Sequence, residues 1–199
     1  MDFSDIPGAY GEPVSLQAGH HVFRQGDRDR RLYLVRQGLL KAYYVSDDGK
    51  ETIKSFILPG DFIGSLTAAY KQDACSFNLV CQEPSDLVPM NFEALYEASR
   101  SDLAVAARLL DVLIGLAMKK ERREMELLCL SAEERYRELI ARSPELLERV
   151  RQKDIARYLG LTPVTLSRIR NRLDAQGGAS SQTRAFSSIL RDAQTRNAP

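Results

Sequence analysis

Histidine is scarce in this 199-residue chain: there are two, His20 and His21, and they are neighbours. Adjacent residues on a strand point to opposite faces, so the pair cannot converge on one ion or haem iron, and a cupin-type metalloenzyme, which clusters His and Glu in a β-roll, is hard to build. Cysteine stops at three, Cys75, Cys81 and Cys129, an odd set with no Cys-x-x-Cys spacing. That argues against a disulfide framework, a zinc site or an iron–sulfur cluster. No metal and no resident cofactor is expected, and nothing suggests an enzyme. No run of about 18 apolar residues occurs, and Met1–Pro7 is acidic without a signal-peptide core, so no membrane partner and a cytoplasmic location are expected.

What is present is ordinary globular material, 44% apolar and 28% charged, enough for a real core. The net charge of +1 hides an asymmetry. Residues 1–130 hold 15 Lys/Arg against 19 Asp/Glu, and residues 131–199 hold 13 against 8, so the two parts carry −4 and +5. A basic carboxyl-terminal third suits a polyanionic partner, although a solvated basic surface gives the same count.

Three textures follow one another. Residues 1–98 read as a β-rich module, with Gly19, Gly26-Asp27, Gly38, Asp48-Gly49, Pro59-Gly60 and Glu83-Pro84 separating strands at Leu32–Arg36, Leu39–Val45, Thr52–Leu58 and Asn78–Gln82. Asp48-Gly49 is the sharpest hairpin signal. Residues 99–130 read as a long helix. Leu103, Ala107, Leu110, Ile114 and Ala117 recur at alternating spacings of three and four, the seam of a coiled-coil homodimer, and Val105, Leu109, Val112, Leu113 and Leu116 make a second apolar side. The charged run Lys119–Glu124 then weakens the seam and marks a hinge.

Residues 131–199 read as a helical domain around a helix-turn-helix at 151–173. Ser131 caps one helix, Pro144 separates it from a second, and Gly160 lies in the turn between the two helices of the motif. Ile155, Ala156, Leu159 and Leu161 supply core, leaving Lys153 and Arg157 available to DNA phosphates. Thr162-Pro163 starts the second helix, with Leu166, Ile169 and Leu173 on its core face. Its opposite face holds Val164, Arg168 and Asn171, flanked by Thr165, Ser167 and Arg172. These residues with Thr162 and Lys153 are the expected contacts to double-stranded DNA; Arg168, whose fork can span two acceptors of guanine, is the expected base reader. After Asp174 a flexible break is expected, then a short amphipathic helix through Phe186, Ile189, Leu190 and Ala193 in place of strands.

The order Gly19 to Gly26, Leu32 to Gly38, Asp47 to Glu51, and Pro59-Gly60-Asp61-Phe62-Ile63-Gly64, followed by the helix-turn-helix, resembles the cyclic-AMP receptor protein and fumarate-nitrate regulator family of bacterial transcription factors over nearly the whole chain. The resemblance implies an α+β fold: an N-terminal double-stranded β-roll of the cyclic-nucleotide-binding kind, a long dimerisation helix and a C-terminal helix-turn-helix domain. It implies a homodimer on a roughly palindromic site, and RNA polymerase as a further partner. An effector pocket would involve Phe62, Ile63, Gly64, Ser65, Cys75 and Ser76. Where cyclic-AMP binders of the family carry a Glu for the ribose this chain has Ser65, and the phosphate-gripping Arg falls near Cys75 or Ser76. No Arg occurs between Arg36 and Arg100. Cyclic AMP is therefore not expected to bind in the usual manner, and either another small-molecule effector, a redox role for Cys75, or a purely structural roll takes its place. The family's DNA-binding domain normally ends in a β-hairpin wing, for which no strands follow here. Pro163 and Val164 also replace polar base readers, so a different operator is expected. The competing reading is a regulatory or scaffold module that kept the fold without DNA binding.

Overall fold

Turn signals and strand-like runs alternate through the first half of the chain, and the runs pair into two four-stranded antiparallel sheets. In the computed structural model, which describes residues 3–177, the strands are β1 (Val14–Leu16), β2 (His21–Phe23), β3 (Arg31–Gln37), β4 (Leu40–Val45), β5 (Glu51–Ile57), β6 (Phe62–Ile63), β7 (Asn78–Cys81) and β8 (Ser85–Asn91). One sheet has the order β1-β8-β3-β6 and the other β2-β7-β4-β5. Each inner face contributes apolar side chains, Tyr33, Val35 and Leu87 from the first and Leu40, Ala42, Ile57 and Leu79 from the second, to one core. The Asp48-Gly49 turn closes the β4–β5 hairpin as the sequence suggests, with Gly49 at φ +78°. A bulge inside that hairpin, at Lys54 of β5 opposite the step from Ala42 to Tyr43 of β4, leaves no signature in the sequence.

Helices α1 (Leu66–Lys71), α2 (Phe92–Ser99) and α3 (Leu103–Cys129) follow the family of strands they interrupt or succeed. Asn91 and Asp102 cap α2 and α3 by accepting from backbone N–H groups of their first turns. A second core forms where Leu95 of α2 and Val105, Leu109 and Val112 of α3 close over Leu32 and Met90. The amino-terminal segment belongs to this core, with Phe3 and Ala9 fully buried and Arg108 of α3 holding Asp5 through two hydrogen bonds of 2.9 and 2.8 Å. Beyond α3 come α4 (Ala132–Arg142), α5 (Glu145–Arg149), α6 (Gln152–Tyr158) and α7 (Pro163–Gly177). By packing, the described residues up to Thr162 make one unit and α7, from Pro163, belongs to another.

Candidate nucleic-acid interface

Local chemistry dictates where the carboxyl-terminal helices begin. Ser131 and Glu134 form a reciprocal capping box, the Glu134 carboxylate accepting from Ser131 N–H at 2.8 Å and Ser131 Oγ from Glu134 N–H at 3.3 Å. α6 ends in a turn that needs glycine: Gly160 sits at φ +70°, and Leu161 N–H donates back to Ala156 C=O at 2.8 Å. Ile155, Ala156 and Leu159 are buried, as expected of the core face, and Lys153 is exposed.

α7 starts at Pro163, where proline forfeits no helical hydrogen bond. Leu166 and Ile169 are buried and Leu173 is half-buried. Thr162, Val164, Thr165, Ser167, Arg168, Asn171 and Arg172 are all exposed. The helix therefore has the two faces that 3.6-residue periodicity assigns to it. It does not break at Asp174; it runs on to Gly177, because Asp174, Ala175 and Gln176 are all compatible with helical backbone. The amphipathic segment expected at Phe186–Ala193 lies outside the described residues.

Arg157 is not free, contrary to the reading from sequence. Its guanidinium reaches Glu51 at the start of β5, Nη1 to Oε2 2.8 Å, and lies 3.8 Å from the buried carboxylate of Asp154. α6 packs on β5. The next residue, Tyr158, has its ring 5.4 Å from that of Phe56 of β5 and 4.0 Å from the guanidinium carbon of Arg123 of α3. Arg123 also donates to the Tyr158 carbonyl. Glu126, only 4% exposed, pairs with half-buried Arg123 and with Arg142, and Arg149 of α5 makes a two-pronged pair with Glu83 at 2.9 and 2.6 Å. The charged run past Ala117 thus lies in unbroken helix and spends part of its charge on α6, through Arg123, and on the β5–β6 turn, through Lys119 and Asp61.

The residues nominated for an effector are used by the fold itself. Gly64 passes so close to β3 that a β-carbon would stand 2.6 Å from Leu32 Cδ2 and 2.7 Å from Arg31 C=O. Ser65, buried, caps α1 by accepting from Ala68 N–H and also accepts from Ser76 N–H, both at 3.4 Å. Cys75 is 1% exposed; its N–H donates to Asp27 C=O at 2.7 Å and its thiol to Asp29 C=O at 3.4 Å. Burial pushes that thiol's pKa up, which leaves little thiolate and disfavours a redox-sensing role. Beside it, burial works to raise the Asp29 carboxyl, but hydrogen bonds from Arg31 and Tyr33 outweigh it and hold the group below the usual carboxylate value. Ile63 is buried, Phe62 and Gly64 are half-buried, and only Ser76 is exposed. Cyclic AMP titrated into the protein in a calorimeter should give no saturable heat up to about 1 mM; a micromolar Kd abolished by Ser76→Trp would contradict this.

The apolar stripe of α3 divides as its two sides predict. Val105, Leu109 and Val112 are buried, and Leu113 and Leu116 pack against the same core. Leu103, Ala107, Leu110, Ile114 and Ala117 all face outward, with Leu103 89%, Leu110 56% and Ile114 46% exposed in the single chain. Among the described residues no helix is long and apolar enough to cross a membrane, and no group of three or more His, Cys, Asp or Glu is placed to hold a metal ion.

Comparison with known proteins fits this geometry. The cyclic nucleotide-binding domain family matches residues 13–102. The transcriptional activator protein anr of Pseudomonas aeruginosa is 30% identical over 188 residues, covering 89% of this chain and 75% of that protein. The anaerobic regulatory protein of Pasteurella multocida is 29% identical over 174 residues, covering 81% of this chain and 63% of that protein, so the match spans less than two thirds of its length. In fold, the solved structure of FixK2 from Bradyrhizobium japonicum superimposes with a TM-score of 0.68 at 23% identity, covering 87% of this chain and 89% of that one.

Proposed function

The chain belongs to the Crp/Fnr family of transcriptional regulators, and from that premise we propose that it binds double-stranded DNA sequence-specifically as a homodimer, α7 entering the major groove. The observation that carries this reading is the polarity of α7: Leu166 and Ile169 are buried, while Arg168 and Asn171 stand exposed with Thr165, Ser167 and Arg172 beside them. Arg168 reads a base, Val164 offers an apolar contact for a thymine methyl, and Lys153, Arg170 and Arg172 position the backbone. In function the chain divides into a β-roll at 1–98, a dimerisation helix with the link to the reader at 99–130, and the reader at 131–199.

Dimerisation follows from the outward stripe on α3. Five residues at heptad spacing are left in water by a helix whose other side is already packed, and a second copy of the same stripe covers them symmetrically. Two readers then address half-sites about one DNA turn apart. The roll serves as a structural or effector-responsive domain, without the ribose and phosphate grip used for cyclic AMP. On this reading the protein is a cytoplasmic regulator that meets RNA polymerase at promoters and catalyses no reaction. Light scattering at micromolar concentration should return twice the 22.4 kDa chain mass; a stable monomer would remove the dimer from the account.

A further inference from the structure

Arg157 has two claims on it. As an exposed cation on the first helix of the helix-turn-helix, the helix that crosses the DNA backbone in this motif, it is suited to a phosphate. In the structure it is instead bonded to Glu51, 106 residues earlier in the chain and at the start of a strand of the β-roll. We propose that Glu51 is an intramolecular competitor for DNA at Arg157: while the β4–β5 hairpin is docked on α6, its carboxylate occupies a phosphate ligand of the reader. The inference rests on the DNA-reading function proposed above and adds the means by which the roll acts on it.

Three features make this contact a switchable one. Glu51 has a second cation, since Lys41 lies 3.6 Å away and is only 8% exposed, so Glu51 keeps a counter-ion when it parts from Arg157. The Glu51–Arg157 pair itself is partly solvent-exposed, 32% and 43%, which keeps it weak enough to exchange for a phosphate. And the adjoining Tyr158 is gripped from both sides of the machine, by Phe56 of the same strand β5 and by Arg123 of α3. A shift of β5 would therefore move Glu51 away from Arg157 and disturb the seat of the helix that bears it. Any ligand or partner that favours the shifted hairpin would raise DNA affinity by mass action on the two states.

The test is a double-substitution cycle read by DNA binding, using fluorescence anisotropy with a generic duplex of about 25 base pairs, so that the operator need not be known. Glu51→Gln should tighten binding about two- to fivefold and steepen the dependence of log K on log salt by about one phosphate. Arg157→Gln should weaken binding, and adding Glu51→Gln to it should restore nothing. Both changes are conservative and near the surface, and unchanged thermal melting would show that the fold is kept. Equal tightening by Glu51→Gln with and without Arg157 would reduce the effect to general charge removal and overturn the proposal, as would no change at all. Failure of every variant and of the unaltered protein to bind any duplex, at any salt, would instead overturn the DNA-reading function and the competition with it.

Discussion

Arg168→Ala should cost about 1 to 3 kcal/mol of affinity for the correct DNA site and relax selection at one base pair. The expectation follows from position and from chemistry. Arg168 lies on the exposed face of α7, one residue from buried Ile169 and two from buried Leu166, so it falls on the side of the helix away from its apolar residues. A guanidinium can place two parallel N–H donors on the O6 and N7 acceptors of guanine, and no other base offers that pair in the major groove. Removing it leaves those acceptors unpaired in the correct site but costs little where the base is wrong, so discrimination falls with affinity. Lys153→Ala is the contrast. Lys153 is an exposed point charge at the start of α6, and its loss should weaken all sequences alike and flatten the salt slope by about one. Binding titrations of both variants against the selected site and against single-base changes of it separate the two roles. Equal, sequence-independent losses would move Arg168 to the backbone class.

Ile114→Asp should convert the dimer into a monomer. Ile114 is the fourth of the five residues of the outward stripe and is 46% exposed in the single chain, so the substitution adds no charge to the chain's own core. In the dimer it would place a carboxylate from each copy into an apolar seam without a partner, at about 3 to 5 kcal/mol for an uncompensated buried charge. That corresponds to about a hundredfold to several thousandfold weaker association. A reader that has lost its twin also loses the effective concentration that ties the second half-site to the first, and affinity for a palindrome should fall by about a hundredfold or more. Light scattering reports the mass and a binding titration the affinity. Val112→Asp is the informative control: Val112 is 5% exposed and packed within the chain, so that change should lower the melting temperature rather than only the mass. A dimer that survives Ile114→Asp would relocate the interface.

The elements that were legible in the sequence are those written by local rules. Turn glycines and period-two runs located β3, β4, β5 and β7 to within a residue or so, and the heptad stripe located α3. Ser131 and Pro163 gave the starts of α4 and α7 because capping depends on chemistry within one turn. The burial of Phe3, Ile6 and Ala9 was not legible, because three apolar residues in a short segment broken by Pro7 and Gly8 specify no element that would bury them. Nor were the contacts that seat α6. With 28 Lys/Arg and 27 Asp/Glu in the chain, nothing local selects Glu51 for Arg157 or Glu83 for Arg149, partners separated by 106 and 66 residues. Reading Arg157 as free was the direct consequence. The loss of a cyclic-nucleotide grip at Ser65 and near Cys75 or Ser76 was visible, but that Ser65 would cap α1 and Cys75 would bond to the β2–β3 loop depended on a fold that brings residues 27, 29, 65 and 75 together.

The central claim is that this chain reads DNA sequence as a two-fold assembly, and selection of bound fragments from genomic DNA at physiological salt tests it most directly. Repeated selection by the full chain should enrich a roughly palindromic element whose half-sites lie about one helical turn apart, and Arg168→Ala should blur one symmetric pair of positions within it. Recovery of fragments with no common element, or of none above the background bound by an unrelated protein of similar charge, would contradict it.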